Sequence, residues 1–206
     1  MAQLTPAGAW QKMLEGNTRF VHGAPAHPGQ DAAKRVELSD GQNPFALVFG
    51  CADSRVAAEI IFDQGLGDLF VVRTAGHVID PGVLGSVEFG VALLDIPLII
   101  ILGHDKCGAI GATLNTTVSG HMPGGYIRDI VERVMPSAIA AKAKANGAEV
   151  GSEEVVSEHV LQSANLLADR SKIVSEAIEA GKLAIVGVTY KLLEGAIIVE
   201  GVIGEV

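Results

Sequence analysis

A chain of 206 residues with 49% hydrophobic side chains and 25 glycines is long enough for one domain with a substantial core. Its net charge of −9, with no basic cluster, excludes nucleic acid or an anionic membrane surface as the expected partner. No apolar run approaches a membrane span, and Met1 to Pro6 lacks the basic and apolar regions of a secretion signal, so a soluble cytoplasmic protein is expected.

Thr5 and Pro6 open a helix as N-cap and first helical residue, and Trp10, Met13, Leu14, Asn17 and Phe20 follow at helical spacing. The stripe is thin, so the helix is expected to pack on its own domain or to lie across a partner subunit. Residues 22–30 carry Gly23, Pro25, Pro28 and Gly29 and read as an extended arm. Phe45 to Phe49 reads as the first strand. Ser54 is placed to cap a helix through Val56, Ala57, Ile60, Ile61 and Phe62. A second strand covers Leu69 to Val72, and Asp80-Pro81 starts a helix that runs to Leu94. Leu98-Ile99-Ile100-Ile101-Leu102 is short, branched-rich and without alternation, as in a buried parallel strand. A helix is expected from Cys107 to Leu114, then a glycine-rich break over residues 120–125. Residues 126–145 read as helical with Pro136 as a break or kink, and residues 152–180 as one long helix capped by Ser152. Leu183 to Val188 forms the fourth strand, and Ile197 to Val199 a short last strand at an edge. Strands alternating with helices predict a single α/β domain with a mostly parallel central sheet flanked by helices.

In such sheets sites form beyond the C-terminal ends of the strands. Strand one delivers Cys51, Asp53 and Arg55 there; strand two delivers Arg73 and His77; strand three delivers His104, Asp105 and Cys107. Cys51 and Cys107 are the only cysteines in the chain. A cytosolic disulfide is not expected, so each thiol is either a small buried hydrophobe or a ligand. Two thiolates and one imidazole make a Cys2His zinc shell that leaves a fourth position for water or substrate. Asp53 could instead close that position. Arg55 can hold the Asp53 carboxylate and keep it ionised, although a local ion pair capping the next helix fits the spacing as well.

Cys51-Ala52-Asp53-Ser54-Arg55, followed by Gly103-His104-Asp105-Lys106-Cys107-Gly108, closely resembles the paired motif of the β-class carbonic anhydrases. Asp63 to Arg73 is similar to that family's turn-and-strand segment, and Gly85-Ser86-Val87-Glu88-Phe89 to the helix beside its active site. The likeness covers residues 5 to 115 well and residues 184–188 loosely. It implies reversible hydration of carbon dioxide to bicarbonate and a proton, with one Zn2+ per subunit held by Cys51, His104 and Cys107. Zinc-bound hydroxide would be the nucleophile, positioned by an Asp53–Arg55 dyad; in a closed form Asp53 leaves Arg55 and ligates the zinc. Gln42, Phe70, Ala75, Phe89 and Gly108 would bind substrate in a pocket shared across a dimer. Residues 1–40 would be an arm wrapping the neighbouring subunit and residues 41–206 the catalytic domain, in a homodimer or homotetramer. The chain departs from the commoner family pattern at Ala52, at Thr74 to His77 and at Phe89, and keeps every ligand. His22, His27 and His77 are candidates for a proton relay, with a passive role the simpler expectation for each. The alternatives are hydrolysis of carbonyl sulfide or carbon disulfide on the same scaffold, a non-catalytic protein with an Asp-closed structural zinc, and a redox dithiol, which the lack of a CxxC disfavours.

Overall fold

The computed structural model describes residues 4–206, so the first three residues of the expected arm lie outside the described residues. One five-stranded sheet has the order β2-β1-β3-β4-β5. Strands β1 (Ala46–Cys51), β2 (Leu69–Thr74), β3 (Leu98–His104) and β4 (Ala184–Tyr190) are parallel, and β5 (Ile197–Ile203) runs antiparallel to β4 at the edge. Every residue of β1, β3 and β4 is buried, which explains why their sequences show apolar runs rather than alternation.

Successive side chains of a strand point to opposite faces, so each strand feeds two cores. Leu47, Phe49, Ile99, Ile101 and Ile185 pack beneath α4 (Pro81–Leu93), α6 (Ile127–Lys144), α7 (Ser152–Arg170) and α8 (Lys172–Glu179). Val48, Leu98, Ile100, Val186 and Val188 pack on the other face with α1 (Pro6–Val21) and α3 (Ala58–Ile61). Helix α7 lies so close to the sheet that a Cβ on Gly103 would stand 2.5 Å from Val160 Cγ2. Helices α2 (Ala32–Glu37) and α5 (Gly108–Ser119) complete the fold.

Helix α1 packs on its own chain. Thr5 caps it by accepting from the Gly8 N–H, and Ala9, Trp10 and Met13 are buried in the chain's own core. Of the two expectations for this helix, its Trp10 face takes the first and packs on its own domain. The arm that follows is pinned by Asp63, whose carboxylate accepts from the Ala26 and His27 N–H groups and pairs with Arg19.

Four element boundaries differ from the sequence expectation. No helix starts at Ser54: the Asp53 carboxylate accepts from Arg55 N, Asp53 O accepts from Val56 N, and this turn delays α3 to Ala58. Helix α6 runs on through Pro136. The expected helix over 152–180 splits at Ser171, which adopts an extended backbone, caps α8 by accepting from Val174 N and donates to Glu88 Oε1. Strand β5 runs to Ile203 because β4 offers a full partner for its ladder, with a bulge opposite Gly187 and Val188.

Candidate metal centre

The strand ends assemble three donors. Cys51 is the last residue of β1, His104 the last of β3, and Cys107 immediately precedes α5; all three are buried. Their ligating atoms lie within 4.8 Å of one another, and both thiols are free. Parallel pairing makes this possible: β1 and β3 are direct neighbours, with Gly50 opposite Leu102, so both chains leave the sheet at nearly the same height.

Orientation and protonation fit a cation. His104 Nδ1 stands 2.8 Å from Asp105 O; a carbonyl only accepts, so Nδ1 carries the proton. Nε2 is then a bare lone pair, buried and without any hydrogen-bond partner. An orphaned imidazole nitrogen between two buried thiols is costly unless something electrophilic sits there. The Cys107 thiol shares its proton with Cys51, which holds Cys51 toward the thiolate, helped by the Gly76 N–H donating to Cys51 Sγ at 3.3 Å. The same sharing, together with burial, pushes Cys107 up. A divalent ion replaces that shared proton when both thiols become thiolates. The residues thus fit a zinc ion on donor chemistry and geometry.

Asp53 and Arg55 form the expected pair. Arg55 Nε donates to Oδ1 at 2.9 Å and Nη2 to Oδ2 at 2.6 Å. This fork holds the Asp53 carboxyl well below the usual carboxylate range. Asp53 Oδ2 lies 4.0 Å from His104 Nε2, at the edge of the donor triangle, while Arg55 keeps hold of it.

Arg73 has a part that spacing did not reveal. Its Nε donates to Cys51 O at 2.9 Å and Nη2 to Asp53 O at 2.6 Å, fastening the backbone of the Cys51 loop to β2. Its arrival at a strand end beside the cysteine loop was the available signal. His159 on α7 was not anticipated. Its Nε2 donates to Gly76 O at 3.0 Å, behind the turn that donates to Cys51. Asp105 is structural: its carboxylate accepts from Leu192 N and ties β3 to the turn after β4.

The remaining predicted residues are dispersed. Ala75 and Gly108 are exposed beside Gly76 and Cys107. Phe70 and Phe89 stack with centroids 6.1 Å apart. Yet Phe70 pairs with Leu47, four residues before Cys51, about 13 Å down the strand from the donors. Gln42 is exposed in the loop before β1. The apolar pair therefore does not face the donors of its own chain. Of the relay candidates, His77 is sealed in the core with neither ring nitrogen partnered, and His22 and His27 are exposed on the arm.

Fold and site together define an α/β protein with a buried cluster of two cysteines and one histidine, fit to hold a metal ion, at the strand ends of a mostly parallel sheet. The profile of the family described as carbonic anhydrase matches residues 46–197. Carbonic anhydrase 2 of Mycobacterium tuberculosis is 52% identical over 206 residues, covering 100% of this chain and 98% of that protein. The carbonic anhydrase of Mycolicibacterium smegmatis is 49% identical over the same span, covering 98% of its length, and that of Pseudomonas aeruginosa is 31% identical over 90% of this chain and 84% of its own. Among solved structures, the β-carbonic anhydrase CcaA superposes with a TM-score of 0.75 at 26% identity, covering 92% of this chain and 86% of that one. A Coccomyxa β-carbonic anhydrase in complex with acetazolamide gives 0.73 at 26% identity, over 90% and 83%. The chain belongs to the β-class of the carbonic anhydrase family.

Proposed function

We propose that this chain hydrates carbon dioxide reversibly to bicarbonate and a proton, with one Zn2+ per subunit held by Cys51, His104 and Cys107. The observation that carries this reading is the donor triangle with the Asp53 carboxylate at its rim, forked by Arg55. A zinc ion held there supplies Lewis-acid activation of water at neutral pH.

The chain's own residues do the rest. Asp53 Oδ2 is placed to accept a hydrogen bond from the attacking water and so to aim its lone pair. Arg55 keeps that carboxylate ionised and turned away from the fourth ligand position, which favours an open rather than an Asp-closed centre. Asp105 O fixes the His104 tautomer through Nδ1. Arg73 holds the loop that carries both Cys51 and Asp53.

The substrate pocket is completed by a second copy. Phe70, Phe89 and Gln42 lie too far from their own chain's donors to flank the same carbon dioxide, whereas Ala75 and Gly108 lie beside them. β2 is an edge strand, half exposed and apolar, and Phe89 is 44% exposed, which suits burial against a partner. In this reading residues 41–206 are the catalytic unit and residues 1–40 the arm. The wrapping surface of the arm is α2, where no residue is buried and Val36 is exposed, rather than the Trp10 face of α1. The dimer is the minimal unit. None of the helices among the described residues is long and apolar enough to cross a membrane, which suits the proposed cytoplasmic location.

Stopped-flow carbon dioxide hydration with zinc analysis on the same sample tests the reading. One zinc per chain, hydration, and inhibition by acetazolamide are expected. Zinc at full occupancy without hydration, and indifference to acetazolamide, would sink it in favour of an Asp-closed structural zinc. Carbonyl sulfide and carbon disulfide in the same assay separate the rival substrates.

A further inference from the structure

Between α6 and α7, on the helical side of the sheet, lies a cavity of about 200 Å³ that the reaction does not use. Its rim carries two guanidinium groups, Arg133 and Arg170, and no carboxylate lines it. Arg133 spends one N–H on Ile79 O at 2.9 Å and forms no ion pair among the described residues. The Arg170 side chain forms neither a hydrogen bond nor an ion pair among them. In a chain of net charge −9, two cations facing one small cavity without a counter-ion are unusual.

The floor is buried and polar. The Ser163 side chain, on a residue 4% exposed, has no hydrogen-bond partner among the described residues although it lines the cavity. Beside it Ser137 Oγ stands 2.8 Å from His159 Nδ1 and 2.9 Å from Gln162 Oε1. His159 uses Nε2–H on Gly76 O, and burial keeps the ring neutral, so Nδ1 accepts. Gln162 uses its amide N–H on Glu158 Oε1, so its Oε1 accepts too. One hydroxyl proton therefore faces two acceptors, and one of the two is left without a donor. Glu158 itself is satisfied by Gln162 and Lys144 and adds no free negative charge.

We propose that this cavity binds a small oxyanion that carries its own O–H, of the hydrogencarbonate or hydrogenphosphate kind. The guanidinium groups of Arg133 and Arg170 and the Ser163 hydroxyl take the anionic oxygens, and the ligand's O–H supplies the donor missing at the floor. The volume suits a four- or five-atom ion and is too small for a nucleotide. The site is separate from the metal centre, although His159 in its floor is joined to Cys51 through Gly76.

The test is thermal unfolding of the zinc-loaded protein at constant ionic strength and pH near neutral, with phosphate, bicarbonate, sulfate and chloride as separate probes. Sulfate matches phosphate in size and charge but has no O–H. Phosphate is expected to raise the midpoint in a saturable manner, with sulfate weaker and chloride without effect. Arg170→Glu is the control, because Arg170 is exposed and unbonded. It should keep zinc content and circular dichroism unchanged while weakening phosphate binding by about tenfold or more, as expected for one charge-assisted contact. Equal stabilisation by phosphate and sulfate, or a phosphate effect that survives Arg170→Glu, would overturn the proposal. A bicarbonate shift lost in Arg170→Glu identifies the reaction's own product as a ligand of this cavity; one that persists there assigns bicarbonate to the metal centre and removes it from this site.

Discussion

Gly76 is the position where a single methyl group should do most damage. Its backbone is left-handed, with φ +67°, and its N–H donates to Cys51 Sγ. A Cβ there would stand 2.6 Å from the Ala109 Cβ, in the first turn of α5, two residues after Cys107. Gly76→Ala therefore carries two costs. Holding an alanine left-handed costs about 1–2 kcal/mol. Forcing a carbon against α5 costs about 1–3 kcal/mol more, as for other overpacked sites. The sum is about 2–5 kcal/mol, a large part of the stability of an ordinary domain. The strained methyl would stand on the residue whose N–H donates to Cys51 Sγ and against the first turn of the helix that follows Cys107, so zinc affinity should fall together with stability. Denaturant unfolding, with zinc release to a competing chelator, measures both. Ala109→Gly removes the opposing carbon, and in a double-mutant cycle it should return the overpacking part, about 1–3 kcal/mol, while the backbone part stays. A coupling energy near zero, or a Gly76→Ala protein as stable and as tightly zinc-bound as the parent, would refute the assignment of Gly76 as the brace between the two cysteines.

Three further outcomes follow from the site. Cys51→Ser, His104→Ala and Cys107→Ser should each lose zinc and hydration together; full zinc occupancy in Cys107→Ser would remove that residue from the ligand set. Arg55→Gln frees the Asp53 carboxylate 4.0 Å from His104 Nε2, so hydration should collapse while zinc stays bound, as Asp53 takes the fourth position; restoration of activity by adding Asp53→Ala to that variant is not expected, because the orienting acceptor is then lost as well. Burial lowers His159 from 6.5 to about 4, so the unfolded chain binds the extra proton between those values. Stability should therefore fall as pH drops from about 6.5 to about 4, by about 3 kcal/mol from this group at most, and buried His77 acts in the same direction. Urea midpoints across that window should show a shallower pH slope in His159→Gln; an unchanged slope would contradict a neutral buried ring.

The sequence by itself determined the class of fold and the donor set. Unbroken apolar runs at Leu98 to Leu102 and Leu183 to Val188 announce strands buried on both faces, because a half-exposed strand would alternate. A cysteine just past one such strand and a His-x-x-Cys just past another suffice to predict a metal site, because parallel strands deliver their C-terminal ends to a common edge. Spacing also paired Asp53 with Arg55, two residues apart in one turn. Helix length was less legible. Ser171 is compatible with a continuing helix; in the fold it caps α8 while Glu88, far away in the chain, accepts its hydroxyl proton.

Tertiary structure alone decided the rest, since it depends on which residues meet across the fold. The register that sets Phe70 opposite Leu47 separates Phe70 and its stacking partner Phe89 from their own donors, and no local pattern encodes that distance. The burial of Trp10 in cis, the sealing of His77, and the partnership of His159 with Gly76 are likewise properties of packing. Local propensity and periodicity fix what each segment is. The long-range contacts between segments fix what each side chain can touch, and through that the state of Asp53: ionised, forked by Arg55, and poised beside the donors without joining them.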